Sequence, residues 1–285
     1  MTDENEKINH SGQHGAAKTN GAEERSVMRA SRLSAPLIYE VIRRDGMEEM
    51  RRPKTSLVFS GLAAGILISF SVLGEAIFRA YLPPDQSWTF LLENLGYSLG
   101  FLLVILGRMQ LFTENTITTV LPLMAQPCKK YILLTARLWA IVLAANVVGS
   151  FVAAAFMGFS ATFTDDIHTA IHQISVHGTS GPPIEAFAKA VPAGVLIAAI
   201  VWMLPTMPEN PFFLILTFTW LIAAGDFTHI IAGSVEMAYL LLMGDMSLFH
   251  AIFVFFIPVF LGNVVGGTVV FTALSWAQVT VEVDE

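Results

Sequence analysis

The sequence has little charge and almost no cysteine. Charged residues make up 14% of the 285 positions, whereas an ordinary soluble domain has about 25%. The single cysteine, Cys128, excludes an internal disulfide framework and a metal site built from several cysteines. The sequence also lacks the HExxH motif of zinc proteases, the GxSxG nucleophile elbow and the phosphate-binding loop. We therefore predict no enzymatic activity, no metal or other cofactor, and no nucleic-acid partner.

Long apolar runs take the place of these features. Hydrophobic residues account for 54% of positions and the mean hydropathy is +0.61, which is typical of a polytopic membrane protein. Since a helix needs about 20 residues to cross a bilayer, we predict an all-α membrane protein with six transmembrane helices in contact with lipid. The apolar segments lie at 56–80, 91–124, 132–160, 185–205, 211–243 and 248–277.

A polar stretch precedes the apolar segments. The composition of residues 1–25 predicts a disordered tail. Between Arg29 and Met50 a weak amphipathic pattern predicts a short helix lying on the membrane surface. The predicted division is an N-terminal tail at 1–54, a six-span domain at 55–278 and a C-terminal tail at 279–285.

The second and fifth apolar segments are longer than one span and have polar residues near their middles. The fifth contains three ionisable residues, Asp226, His229 and Glu236, with Gly225 and Gly233 on either side of the histidine. Ionisable groups at membrane depth are costly and usually line a cavity or pathway. Small residues there mark close packing or a break in the helix. We predict that both segments are broken helices and that His229 faces a solute path.

Lysine and arginine positions predict the orientation. Ten of the sixteen lie in residues 1–54 and three more follow the second segment, whereas the loop at 160–184 has none. Because basic residues favour cytoplasmic loops, the N-terminus is predicted to be cytoplasmic and the 160–184 loop to face outwards. Six spans return the C-terminus to the cytoplasm. We expect an integral protein of a bacterial inner membrane.

Two motifs recur along the chain in the same order. Leu-Phe-Thr at 111–113 is followed by Asn146-Val-Val-Gly-Ser, and Asp-Phe-Thr at 226–228 by Asn263-Val-Val-Gly-Gly. The recurrence predicts two units of three spans, and an odd number of spans requires the units to be inverted relative to each other. Inverted repeats of transport proteins hold the solute between discontinuous helices near the midplane.

Two asparagines and several glycines are assigned supporting roles. We predict that Asn146 and Asn263 hydrogen-bond the broken segments rather than the solute. Gly233 is predicted to give structural support, and Gly266 to mark close helix packing. Glu185 and Lys189 are four residues apart on the fourth span, so they are predicted to pair along one helix face.

At these residues the chain resembles the formate/nitrite transporter family. The matching features are Leu111-Phe112-Thr113, Phe227-x-His229-x-x-Ala232 and Gly262-Asn263-Val264-Val265-Gly266-Gly267, within residues 50–278. The resemblance implies an aquaporin-like fold with six spans per protomer, of which the second and fifth are broken. It also implies five protomers in a ring, each with its own pore. Members of the family pass small monovalent anions such as formate, nitrite, hydrosulfide or lactate, in a channel-like or proton-coupled manner.

The resemblance assigns roles to individual residues. His229 matches the family's central pore histidine, and Thr113 matches the threonine of the second-span loop opposite it. Leu111 and Phe112 match the apolar constriction on the cytoplasmic side, and Ile222 falls near the constriction on the outer side.

This sequence differs from the usual family pattern at several positions, which suggests a divergent branch. Thr228 stands where an acidic residue often precedes the histidine, and Gly233 replaces an asparagine. Arg108, Glu114 and Asp226 are charged where the usual pattern is neutral. We include Thr228, Arg108 and Asp226 among the predicted path residues.

The predicted mechanism lowers the desolvation cost of an anion in the bilayer. Half-helix N-termini offer unpaired N–H groups, and apolar rings admit only a small solute. We hypothesise that His229 donates a hydrogen bond or a proton to a weak-acid anion while Thr113 holds it from the opposite loop. The alternative is a histidine that serves packing alone.

Other interpretations stay open at this point. Arg108 either raises the local anion concentration or forms an ion pair with Glu114, Asp226 or Glu185. A channel for a small neutral solute would suit the same scaffold. A third possibility is a protein that acts in assembly or regulation through its 54-residue N-terminal head.

Overall fold

A computed structural model describes residues 33–283 of the chain, so the disordered tail predicted at 1–25 lies outside the described part. Of the C-terminal tail predicted at 279–285, residues 279–283 belong to the last helix and the final two lie outside the described part. The structure is all-helical over this range. Five helices are long and apolar enough to cross a membrane: Lys54–Tyr81, Thr89–Leu106, Lys129–Phe159, Pro183–Thr206 and His250–Thr280. The prediction of an all-helical chain with several membrane-spanning segments is confirmed.

The helices follow one another with short connections. They are α1 (Ala35–Arg51), α2 (Lys54–Leu67), α3 (Ser69–Tyr81), α4 (Thr89–Glu93), α5 (Ser98–Leu106), α6 (Asn115–Thr118), α7 (Val120–Ala125), α8 (Lys129–Phe159), α9 (Asp165–Thr179), α10 (Pro183–Met203), α11 (Phe212–Ala224), α12 (Ile230–Met243), α13 (Ile257–Val264) and α14 (Ala273–Val283). Leu204–Thr206 is a 3₁₀ turn, and His250–Phe256 and Val265–Thr272 are π-helical segments on either side of α13.

The fifth apolar segment is not one helix. It consists of α11, of 13 residues, and α12, of 14 residues, with a non-helical link between Ala224 and Ile230. In the second segment, α5 ends at Leu106 and the next helix begins at Asn115. Both segments are therefore interrupted where their polar residues lie. Such a break is tolerated inside a membrane-spanning segment when other protein groups satisfy the freed backbone groups.

Small residues bring the long helices into close contact. α8 packs along α2, and α10 packs along α13. A Cβ atom added at Gly65 would overlap the backbone oxygen of Asn146, and one added at Gly194 would overlap that of Asn263. Gly266 is equally tight, since a Cβ there would overlap the backbone oxygen of Val191. The predicted packing role of Gly266 is consistent with this geometry.

Helix α1 is formed by the segment expected to lie on the membrane surface. Its residues Ile38, Tyr39 and Ile42 are buried against Ile117 and Leu121 rather than turned towards lipid. At its C-terminal end, Arg137 of α8 donates to the backbone oxygens of Met50 and Arg52 at 3.1 and 3.2 Å. The amphipathic pattern thus reflects docking onto the protein's own helices.

Residues 160–184, expected to be a solvated loop, contain the helix α9. The Thr164 hydroxyl caps it by accepting the backbone N–H of Ile167 at 3.5 Å. Ile167, Ile171 and Ile174 recur on one helical face and are buried. The polar residues between them obscured this pattern, and α9 packs against α3 and α12.

Candidate functional site

His229 is the last residue before α12 and is almost fully buried, with 1% of its surface exposed. Its Nδ1 accepts the backbone N–H groups of Ile231 and Ala232, each at 3.3 Å. A nitrogen that accepts two hydrogen bonds carries no proton, so the proton of the neutral ring is on Nε2. Nε2 lies 2.7 Å from the Thr113 hydroxyl oxygen and donates to it.

Thr113 reaches His229 from the other interrupted segment. Its side chain is 1% exposed, and it lies in the non-helical stretch between α5 and α6. The contact therefore joins the two breaks across 116 residues of sequence. The ring of Phe101, which is also fully buried, packs edge-on against the imidazole with the ring centroids 4.9 Å apart.

Asn263 fixes the link that carries His229. Its Oδ1 accepts the N–H of Ile230 at 2.8 Å, and its Nδ2 donates to the oxygens of Thr228 and Ala190 at 2.9 and 2.7 Å. The amide thus satisfies the backbone on both sides of the histidine and ties it to α10.

Asn146 makes the same three bonds in the other segment. Its Oδ1 accepts the N–H of Phe112 at 2.9 Å, and its Nδ2 donates to the oxygens of Gln110 and Gly61, both at 2.8 Å. These contacts are of the kind predicted for Asn146 and Asn263, whose role as anchors of the broken segments stays a prediction.

Each asparagine bonds the backbone on both sides of one residue, which is Leu111 for Asn146 and His229 for Asn263. Leu111 and His229 therefore occupy corresponding positions in the two interrupted segments. Two more residues correspond: Arg108 and Asp226 both have left-handed backbone, with φ of 51° and 54°. Phe112 corresponds to Ile230, not to Phe227 as the sequence motifs indicated. The Phe-Thr recurrence misaligned the segments because it rests on side-chain identity, whereas the asparagines bind backbone groups.

Two cavities approach the Thr113–His229 contact. The His229 cavity, of about 310 Å³, is lined by His229, Thr228, Asp226 and Gly233, with residues from α3, α4 and α9. The Arg108 cavity, of about 580 Å³, is lined by Arg108, Gln110 and Leu111, with side chains from α1 and α10 and their neighbours. Neither cavity includes Thr113.

Several charged residues line the His229 cavity. Asp226 is held by Lys189, whose Nζ lies 2.8 Å from Oδ2, and by His177, whose Nε2 lies 3.0 Å from Oδ1. Lys189 also pairs with Glu185 at 2.8 Å, as the four-residue spacing predicted. The lysine therefore bridges two carboxylates.

Acidic residues predominate in the Arg108 cavity. Asp45, Glu48, Glu49 and Glu114 line it, and Arg108 is the one basic residue of its wall within residues 33–283. Burial raises the pKa of the Asp45 carboxyl on α1. Gln110 connects this wall to the interrupted segment, since its Nε2 donates to Glu49 at 2.7 Å.

Comparison with known proteins identifies the family. A model of the family described as "Formate/nitrite transporter" matches residues 36–277, which is most of the chain. The chain belongs to the formate/nitrite transporter family. Membership places it among integral membrane transport proteins and not among enzymes, as the sequence predicted.

Individual members of the formate/nitrite transporter family are similar in sequence and in fold. "Inner membrane protein YfdC" of Escherichia coli (strain K12) is 41% identical over 245 residues, covering 86% of this chain and 79% of that protein. "Formate channel FocA" of Haemophilus influenzae (strain ATCC 51907 / DSM 11121 / KW20 / Rd) is 27% identical over 254 residues, covering 77% and 84%.

Two solved structures share the fold. A "Pentameric formate channel with formate bound" superposes with a TM-score of 0.66 at 20% identity, covering 80% of this chain and 98% of that one. An "FNT family ion channel" gives a TM-score of 0.71 at 20% identity, covering 85% and 98%.

The predicted path residues occupy different positions around the contact. Asp226, Thr228 and His229 line the His229 cavity, and Arg108 and Leu111 line the other. Besides Thr113, two of the predicted path residues are fully buried and line neither cavity. They are Phe112, which packs against Trp139 and Phe260, and Ile222. Gly233 is in the His229 cavity wall, where a Cβ would overlap the ring of Phe255.

The ion pair, one of the two alternatives for Arg108, is not formed. In residues 33–283, no carboxylate lies within salt-bridge distance of Arg108; Asp226 pairs elsewhere, and Glu185 pairs with Lys189. The reason is geometric, because Arg108 and Asp226 occupy equivalent positions in different cavities. The Glu114 oxygen Oε1 is buried without a hydrogen-bond partner.

Sequence reasoning missed two aromatic residues. Tyr97 and Phe101 are one helical turn apart, with ring centroids at 5.3 Å, and Phe101 contacts His229. Their spacing on the second segment was compatible with ordinary core packing. The one available signal was that two aromatic residues, four apart, lie on one helical face just before the interrupted stretch. That spacing could have indicated a role beside the histidine.

Proposed function

We propose that the protein transports a small monovalent anion of a weak acid, of the formate or nitrite type, along a path through each protomer. The path runs from the His229 cavity, past the Thr113–His229 contact, to the Arg108 cavity. The observation that carries the proposal is the 2.7 Å contact between Thr113 and His229, which joins both interrupted segments between two cavities. Family membership and the relatives named as formate channels support the same class of solute.

His229 is suited to donate a hydrogen bond to an anion. Because Nδ1 is occupied by two backbone N–H groups, Nε2 keeps its proton and points towards Thr113. An oxygen of the solute, as the anion or as its neutral acid, would accept from Nε2–H and from the Thr113 hydroxyl. The positive end of the α12 dipole adds to the attraction. Leu111, which corresponds in position to His229, would form the apolar constriction on the other side.

The two halves of the protein support an inverted repeat of six spans. Asn146 and Asn263 hold equivalent backbone groups, and Gly65 and Gly194 pack equivalently against them. Counting α11 and α12 together as the fifth span gives six crossings, with the second and fifth discontinuous. The repeat explains why two polar interruptions meet near the middle of the apolar layer.

The orientation and assembly follow from the same considerations. Basic residues favour the cytoplasmic side of a membrane, so α1, which carries several of them, faces the cytoplasm with the N-terminus. The Arg108 cavity, which α1 lines, opens to the same side, and the His229 cavity faces outwards. Six spans place the C-terminus in the cytoplasm as well. The relative called an inner membrane protein supports a bacterial inner membrane, and the structure titled as a pentameric channel supports a homopentamer.

A channel for a small neutral solute is the second candidate. The observation that favours it is the acidic character of the Arg108 cavity, where four carboxylates face one arginine. Fixed negative charge opposes the entry of an anion and leaves a neutral solute unaffected.

Solute flux into proteoliposomes tests the proposal. Formate, nitrite and glycerol would be compared at two pH values, in vesicles with and without the protein. We expect formate or nitrite uptake in the wild type and its loss in His229→Ala, whereas His172→Ala, an exposed histidine on α9, should leave the uptake unchanged. Glycerol uptake without anion uptake would favour the neutral-solute channel.

A further inference from the structure

Glu236 is a buried carboxylate in the wall of the His229 cavity. It lies on α12 seven residues after His229, which is about two helical turns along the same side. The residue is 7% exposed, and in residues 33–283 no hydrogen bond or ion pair reaches its carboxylate. Gly178 of α9 packs directly against it, because a Cβ there would overlap Oε2.

Glu75 on α3 lines the same cavity and is 8% exposed. Its nearest cation is Arg79, at 3.7 Å. Arg79 is engaged more closely by Glu93, at 2.8 Å, and donates a second bond to it at 3.4 Å. One guanidinium is therefore shared by two carboxylates, and Glu75 has the weaker contact.

Among the described residues, 33–283, no other charge compensates these two carboxylates. Asp226 uses Lys189 and His177, and α8 has no ionisable side chain after Arg137. From the π-helical segment, His250 bonds to the backbone oxygen of Thr179. The titratable or charged groups that face Glu236 across the cavity are Glu75, Arg79, Tyr97, His177, Asp226 and His229.

We propose that Glu236 and Glu75 form a proton-binding site that protonates the weak-acid anion before it reaches His229. An ionised carboxylate without a counter-ion is costly in such an enclosed place, whereas a neutral carboxyl offers an O–H donor to an anion. The inference rests on the proposed anion transport and adds the site at which a proton joins the solute.

The proton transfer balances without any further reactant. The O–H bond of Glu236 breaks as a new O–H bond forms on the anion, which leaves a Glu236 carboxylate and the neutral acid. Glu75, which is neutral in the proposed site, adds no second negative charge to the cavity while Glu236 is ionised. A proton from the outside solution then restores the pair, since the His177 side chain at the cavity wall is 64% exposed and connects the cavity with water.

Charge movement during uptake tests the proposal. Formate uptake into proteoliposomes would be measured with and without a membrane potential set by potassium and valinomycin. Wild-type uptake is expected to be independent of the potential, because anion and proton cross together. Glu236→Gln keeps the neutral shape but has no transferable proton, so uptake should fall about tenfold and the remainder should respond to the potential.

Conservative and control variants separate a proton-transfer role from structural damage. Glu236→Asp should keep potential-independent uptake at a reduced rate, and Asp166→Asn, an exposed acid on α9, should behave as the wild type. If Glu236→Gln does not elute as a monodisperse peak, Glu75→Gln serves as the same test. Wild-type uptake and potential independence in both glutamine variants would overturn the proposal, as would a slower uptake that stays potential-independent.

The outcomes also separate this proposal from the proposed function. If the wild type takes up no weak-acid anion at all, anion transport itself is wrong. If the wild type transports formate and the potential drives it, transport stands and the proton-binding site is rejected.

Discussion

Replacing Asn263 with alanine should both destabilise the protein and abolish transport. The asparagine side chain is fully buried and satisfies three backbone groups: the N–H of Ile230 and the oxygens of Thr228 and Ala190. A buried group left without its partner costs about 1–3 kcal/mol, so three groups set an upper limit of about 9 kcal/mol. Water entering the vacated space reduces the loss, and we expect about 3–5 kcal/mol.

The expected loss can be measured by thermal unfolding in detergent. For a chain of this size, about 1 kcal/mol lowers Tm by 2–4 °C, so Asn263→Ala should melt about 10 °C below the wild type. The transport rate should also fall sharply, even at temperatures where the variant stays folded. The same bonds set the position of His229, and a displacement of about 1 Å can cost a hundredfold in rate.

Two further variants make the test specific. Asn263→Asp keeps an acceptor for the Ile230 N–H but directs a second oxygen at two carbonyl oxygens, so it should not restore stability. Thr219→Val removes a buried hydroxyl that bonds only within its own helix, to Ile215 at 2.7 Å, and should cost about 1 kcal/mol. An Asn263→Ala protein that melts within about 3 °C of the wild type and still transports would refute the reasoning.

Three further predictions concern other parts of the molecule. Thr113→Val leaves the Nε2–H of His229 unpaired and should slow formate flux about tenfold, whereas Thr113→Ser should keep wild-type flux in the same liposome assay; equal flux in both would contradict the role of the hydroxyl. Gly194→Ala forces backbone apart and should cost about 1–3 kcal/mol in thermal unfolding, and an unchanged Tm would show that the helices can separate freely. The hydrogen bond from Arg43 lowers the pKa of Glu40 from 4.5 to about 2, so the pair stabilises α1 fully above pH 4.5 and is lost as pH falls towards 2; Glu40→Gln should lower Tm at pH 7 but not near pH 2, and a constant difference would argue against it.

The sequence predicted the features that depend on local chemistry. Ionisable and small residues inside an apolar run indicated the break at His229, and the recurrence of Asn-Val-Val-Gly indicated the two anchors. The pair between Lys189 and Glu185 followed from helical spacing alone. Each of these inferences uses neighbours in sequence or a motif whose physical role is narrow.

Features that depend on distant contacts were not predictable. The partner of Asp226 is Lys189, 37 residues away, so the expected pair with Arg108 was wrong. The docking of α1 onto the bundle depends on surfaces contributed by α7 and α10, and its pattern alone also fits a membrane surface. The register between the two halves depends on which backbone groups the asparagines hold, which no side-chain motif reveals.

The lone thiol of Cys128 offers a practical means of measuring sidedness. It is exposed and lies just before α8, next to α7, which packs on α1. A membrane-impermeant maleimide therefore attaches one dye per polypeptide, and no other cysteine has to be removed first. The dye marks the end of the molecule where the Arg108 cavity opens. Reconstituted vesicles could be sorted by this label into right-side-out and inside-out populations, so that flux in each direction is assigned to a known face.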